Sequence, residues 1–159
     1  MFDRNYLNSL KILHQEFNKF IAKLLHCFIV RGQMEVKSYL KLNNIDAYVT
    51  AFQLSNYVWS IVVKWNRFEQ NTIGSQFVRA IDSASANIAE GFGRYGKKDK
   101  IVFYRYSFGS VKESFDWNEK AKIRGLLSKA EYDKIFSNLE LLPKQINQLI
   151  KYTNLKLLK

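Results

Sequence analysis

The chain has 159 residues, with 25 Lys and Arg against 14 Asp and Glu, which gives a formal net charge of +11 and a pI near 9.7. Its 47% hydrophobic and 15% aromatic content excludes wholesale disorder at the length of one ordinary domain, and seven glycines with one proline argue against a turn-rich β architecture. The lone cysteine, Cys27, excludes a disulfide framework or CxxC site, and with His14 and His26 as the only other soft ligands neither a metal site nor a cofactor is expected.

In chain order, the first apolar stripe is Leu10, Leu13, Phe17, Phe20, Leu24 and Cys27, at helical steps of three and four. The run from Phe20 to Val30 contains Lys23 and His26 and is too short to span a membrane. It also lacks the charged start and small-residue cleavage site of a signal peptide. An amphipathic helix packing on the bundle or on a neighbouring subunit is one reading. The other makes Met34 the start, with residues 1–33 an upstream in-frame extension.

Four further stripes follow. Ala51, Leu54, Val58, Ile61 and Trp65 make the first, and Phe77, Ile81, Ala84 and Ile88 the second. Ile101, Tyr104, Phe108, Val111 and Phe115 form the third, and Tyr132, Ile135, Leu139, Leu142, Ile146 and Leu149 the last. Each keeps one face toward a partner helix, and no segment sustains the alternation of a strand. Asn43, Asn44 and Asp46 are expected to cap the first of these helices, and Asn71 or Thr72 the second. Gly91 and Gly93 should end the second in the left-handed conformation, and Gly125 should end the third. Ser128 and Glu131 form a capping box for the last. Pro143 predicts a kink near 139–143 and no break, because the stripe resumes in phase at Ile146. Helices are thus predicted over 46–67, 72–91, 97–124 and 129–155, and short connections make successive ones antiparallel neighbours.

The most distinctive string is Asn87-Ile-Ala-Glu-Gly-Phe-Gly-Arg94. With Gly96 it formally matches G-x-G-x-x-G, but it follows a helix outside any βαβ unit, so nucleotide binding is not expected. Ser83, Asn87 and Glu90 fall near one helix face, and no nucleophile accompanies them. They read better as a polar cluster, with Glu90 paired to Arg79 or Arg105, than as catalytic groups. Glu113, Asp116 and Glu119 lack the histidines of a carboxylate metal site and read as a solvated acidic face. Gly109-Ser110 is expected to admit a bulky neighbour such as Trp59 or Trp65.

The charge concentrates at Arg94, Lys97, Lys98, Lys100 and Arg105, among Phe92, Tyr95, Phe103, Tyr104 and Tyr106. Residues 1–33 hold five basic and two acidic residues, and 34–159 hold twenty and twelve. Lys98, Arg105 and Lys112, spaced by sevens, draw a basic line along one side of the third helix. Cations among aromatic faces suit phosphate contact and base stacking; an ordinary solvated surface has the same composition.

Arg79-Ala-Ile-Asp-Ser83 and Ala86-Asn-Ile-Ala-Glu-Gly-Phe-Gly-Arg94 resemble the signature of the 23S rRNA intervening-sequence proteins, also called the four-helix-bundle protein family. Lys97-Lys-Asp99, Phe103-Tyr-Arg-Tyr-Ser107, Gly109-Ser110, Glu113 and Gly125-Leu-Leu-Ser-Lys-Ala-Glu-Tyr132 follow in register, so the resemblance spans about residues 34–155. It implies a bacterial, all-α, antiparallel up-down four-helix bundle that assembles into a ring, a homopentamer, with no established enzymatic activity. A similar bundle, the accessory variability protein of diversity-generating retroelements, is a basic pentamer that binds nucleic acid and a reverse transcriptase. The chain departs from the family pattern in its 33-residue extension and in Pro143.

The expectation is therefore an N-terminal helical extension over 1–33 and a bundle over 34–159. It would be non-enzymatic, cytoplasmic and homo-oligomeric, binding RNA or other nucleic acid through Arg94, Lys97, Lys98, Lys100, Arg105 and Lys112. The structural signature would be Arg79, Ser83, Asn87, Glu90, Gly91, Gly93, Gly109 and Glu113. The alternative is a scaffold that recruits an acidic protein partner without touching nucleic acid.

Overall fold

Helical periodicity governs the structure, a computed structural model that describes Lys19, Ile21 and residues 40–156. The helix expected within 1–33, with His14, His26 and Cys27, lies outside the described residues. The chain divides into two units, 1–39 and 40–159, and the bundle belongs to the second. A 3-10 turn (Leu42–Asn44) leads into α1 (Asp46–Val62). One helical turn (Arg67–Glu69) then passes through a π-helical turn (Gln70–Gly74) into α2 (Ser75–Gly93). The last two helices are α3 (Lys97–Ile123) and α4 (Lys129–Lys156), and no strand occurs among the described residues.

The four long helices form a bundle in which each packs on its neighbour in sequence and α1 closes against α4. Its core takes Ala51, Leu54, Val58 and Ile61 from α1, and Phe77, Ile81, Ala84 and Ile88 from α2. From α4 come Ile135, Leu139, Leu142 and Ile146, all fully buried. These are the predicted stripes. The stripe of α3 is rotated from its prediction. Ile101, Tyr104 and Val111 are buried as expected, but Phe108 and Phe115 are half-buried, and Ser107, Ser114, Asn118 and Ala121 take the innermost positions. Small residues there let α2 approach closely, and the Ser107 hydroxyl donates to the Ala84 carbonyl at 2.7 Å.

Several boundaries differ from expectation. α1 ends at Val62, and the next helical segment starts at Arg67 because Asn66 caps it. The Asn66 side chain accepts from the Glu69 N–H at 3.0 Å, and Glu69 accepts from the Asn66 N–H at 3.1 Å. Asn71 and Thr72 sit inside the π turn instead of at a cap. Asn44 caps the 3-10 turn, accepting from the Lys41 N–H at 3.1 Å, and Ile45 stands at the start of α1 without a side-chain cap bond. Gly91 and Gly93 are ordinary helical residues; the one positive φ among the described residues is at Gly125, at 70°. There the Gly125 and Leu126 N–H groups donate to the Lys122 and Ala121 carbonyls, both at 2.9 Å, closing α3 in a Schellman motif. The capping box at Ser128 and Glu131 forms as read. α4 runs unbroken through Pro143, which lacks the N–H that would reach the Leu139 carbonyl.

Candidate nucleic-acid interface

Residues 94–96 join α2 to α3, and the string Asn87–Arg94 builds the corner. Gly91 is there for space. A Cβ at this position would stand 2.6 Å from the Tyr104 ring and 3.0 Å from the Lys100 carbonyl. Its absence lets the end of α2 lie against the first turn of α3. Gly93 has nothing among the described residues within 4 Å of such a Cβ, so its role is different from that of Gly91. Tyr104 is 2% exposed, and burial pushes its phenol above the ordinary value, partly offset by a hydrogen bond with Thr153.

The basic residues of the corner divide by what holds them. Lys100 is half-buried and donates to the Phe92 carbonyl at 2.7 Å and the Gly91 carbonyl at 3.4 Å. It thereby caps the C-terminus of α2, where a cation complements the helix dipole. Burial lowers its ammonium below the ordinary lysine value. Lys97 is also half-buried and reaches the Asn154 carbonyl of α4 at 3.3 Å. Arg94 pairs with Glu90, one turn earlier, and lies over the Phe103 ring at 4.5 Å. Glu90 was expected to pair with Arg79 or Arg105; Arg94 is closer because it follows by four residues on the same face.

Lys98, Arg105 and Lys112 are exposed on one face of α3, as their spacing predicted. None makes an ion pair among the described residues. The Lys112 ammonium hovers over Phe108 at 5.6 Å and Phe115 at 5.4 Å. Gly109 lies on this face, and among the described residues nothing stands within 4 Å of where its Cβ would be, so the expected approach of Trp59 or Trp65 does not occur. The tight glycine contact with these aromatics is at Gly74, where a Cβ would meet Val62 Cγ1 at 2.7 Å and Trp65 Cε3 at 3.4 Å.

The carboxylates are engaged locally. Glu113 accepts from Trp117 Nε1 at 3.3 Å, Asp116 pairs with Lys120, and Glu119 accepts from the Tyr132 hydroxyl. That last bond raises the Tyr132 phenol above its ordinary value, with burial second. Asn87 donates to the Ser83 carbonyl of its own helix at 2.8 Å, and Arg79 is exposed at a cavity near Trp59 and Val63. Among the described residues no group of three or more His, Cys, Asp or Glu is placed to hold a metal ion. No described helix is long and apolar enough to cross a membrane.

Of the aromatics that the sequence sets among the cations, Tyr95 is completely exposed at the corner, and Tyr106 is 57% exposed and edge-on to Phe103 at 5.7 Å. One feature, on α1, escaped the sequence reading. Phe52, Trp59, Val63 and Phe68 leave a second apolar surface on α1 and the turn beyond it. The steps of four, seven and four from Tyr48 through Phe52 and Trp59 to Val63 were its available signal, masked by the stronger core stripe of the same helix.

Comparison with known proteins gives a family and a fold. A family model described as 23S rRNA-intervening sequence protein matches residues 43–148. A crystal structure of a protein of unknown function from the S23 ribosomal protein family of Bacteroides thetaiotaomicron superposes with a TM-score of 0.59 at 17% identity. The match covers 66% of this chain and 98% of that one, and shows likeness of fold. None of the curated proteins compared with the chain matches it.

Proposed function

Because the chain belongs to the 23S rRNA-intervening sequence protein family, we propose that it is a non-enzymatic, homo-oligomeric bundle that binds RNA through the outer face of α3. The supporting observation is the placement of Lys98, Arg105 and Lys112. They are exposed along one helix face, unpaired among the described residues, on a chain of net charge +11. Such cations neutralise phosphates and release condensed counterions. Arg94, Lys97 and Lys100 support them by fixing the corner from which α3 starts, through Glu90, Asn154 and the end of α2. The short connections favour an antiparallel up-down order of the helices, and the family resemblance favours five copies in a ring in the cytoplasm.

Fluorescence anisotropy with a labelled RNA tests this reading. Binding should be measurable at low salt and weaken steeply as salt rises. The triple variant Lys98→Ala, Arg105→Ala, Lys112→Ala should flatten the log–log salt slope by about 2–3. No binding to RNA at low salt overturns the proposal.

A second reading rests on the α1 surface. Large exposed apolar side chains mark protein contact where they gather; Trp59 and Val63 line one cavity, and Phe52 and Phe68 are exposed on the same helix and the turn beyond it. A scaffold recruiting an acidic partner would use this surface, with Arg67 and Arg79 beside it to meet the charge.

A further inference from the structure

We infer that the corner and the outer face of α3 form a track for single-stranded RNA, with an unpaired base stacked on Tyr95 and the strand's backbone crossing Gly109. This rests on the RNA-binding reading and adds which form of RNA is bound.

Tyr95 is the first observation. An aromatic ring in a connection of three residues, with its neighbours fixed, is expected to fold against the corner. Arg94 is held by Glu90 and Phe103, and Lys97 by the Asn154 carbonyl, yet Tyr95 is 102% exposed. Its ring is a free π face beside cations, which is the arrangement that captures unstacked bases. A duplex keeps its bases stacked inside and offers such a ring nothing to stack on. On α3, Tyr106 is also exposed and sits edge-on to Phe103, the ring that Arg94 covers.

Gly109 is the second and independent observation. Glycine inside a helix is less favourable than alanine, and it is usually there because something must come close. Among the described residues nothing lies within 4 Å of where a Gly109 Cβ would stand. It leaves bare helix backbone between Arg105 and Lys112, where a sugar–phosphate chain can lie flat between two cations. From Lys98 to Lys112 the face runs about 21 Å at the rise of an α-helix, enough for a short single-stranded segment. The first turn of α3 does not serve as the anion site. The Asp99 carboxylate lies there against Gly96, with Oδ2 3.0 Å from a Cβ built on that glycine.

The test compares a fluorescein-labelled 12-nucleotide oligouridylate with a 12-base-pair RNA duplex by anisotropy at low salt, using the full chain. The single strand should bind more tightly. Tyr95→Ala should weaken it about 5- to 150-fold and leave the duplex within twofold, while Tyr95→Phe, which keeps the ring, binds like the parent. Gly109→Ala should raise the thermal midpoint yet weaken single-strand binding. Equal or tighter duplex binding overturns the inference, as does single-strand binding unmoved by Tyr95→Ala. A Gly109→Ala variant that changes the sedimenting mass and not the RNA affinity also overturns it, since a second copy's helix would then occupy that surface. Failure of both RNAs to bind sinks the RNA-binding reading itself; binding indifferent to Tyr95 leaves that reading standing without the stacking track.

Discussion

A methyl group at position 91 would stand 2.6 Å from one carbon of the Tyr104 ring and 2.9 Å from another. Tyr104 is itself buried and cannot swing away without opening the core. Gly91→Ala should therefore lose about 1–3 kcal/mol of stability, the typical cost of overpacking, in chemical denaturation. Gly93→Ala, two residues on with nothing nearby, should cost nothing measurable. Equal effects at the two positions would refute the packing account. The two glycines looked alike in sequence because both fit a helix end; what separates them is a ring on the next helix, thirteen residues further along. Lys100 was opaque for the same reason. Its charge was legible, but its use on the Phe92 carbonyl depends on how α3 folds back over α2. The exposed line of Lys98, Arg105 and Lys112 was legible because helical period alone determines it.

Among elements, α4 shows how a local signal carries over intact. The Ser128 N–H donates to the Glu131 carboxylate at 2.8 Å, and the Glu131 N–H donates back to the Ser128 hydroxyl at 3.3 Å. Ser128→Ala should lower stability by about 1 kcal/mol, the usual worth of such a cap. Hydrogen bonds from the Ser128 hydroxyl, then its N–H, hold the Glu131 carboxyl below its ordinary value. The folded state thus favours the ionised form. This contribution is complete above the unfolded value of about 4.3 and disappears as pH falls through the lower folded value. Thermal melts of parent and variant should converge toward pH 3; a gap that stays constant from pH 7 to pH 3 would refute the carboxylate's part in the cap. The box at Asn66 and Glu69 follows the same rule but was overlooked, because the apolar period carried α1 on through Trp65. In the structure Trp65 lies beyond the end of α1, packed near Gly74, while Gln70 donates to the Trp65 and Val63 carbonyls at 2.8 and 3.0 Å. The side chain of Gln70 thus fastens the bend that periodicity alone reads as continuous helix.

At the scale of the molecule, the bundle buries its core yet leaves Phe52, Trp59 and Phe68 at 51%, 58% and 75% exposure. Surface of this kind is what assembly would cover. A Trp59→Ser, Phe68→Ser variant should sediment as a smaller species than the parent while keeping its far-ultraviolet helical signal. A parent that sediments as one chain, or a variant of unchanged mass, would remove assembly from the account. The pattern of neighbours has a separate consequence. α1 packs on α2, α2 on α3 and α3 on α4, so most of the core joins segments close along the chain; only α1 with α4 spans the whole bundle. Chains with such local connectivity reach the native state in microseconds to milliseconds. The two central helices, joined through three residues and packed closely at Gly91, are therefore expected to form before α1 docks on α4.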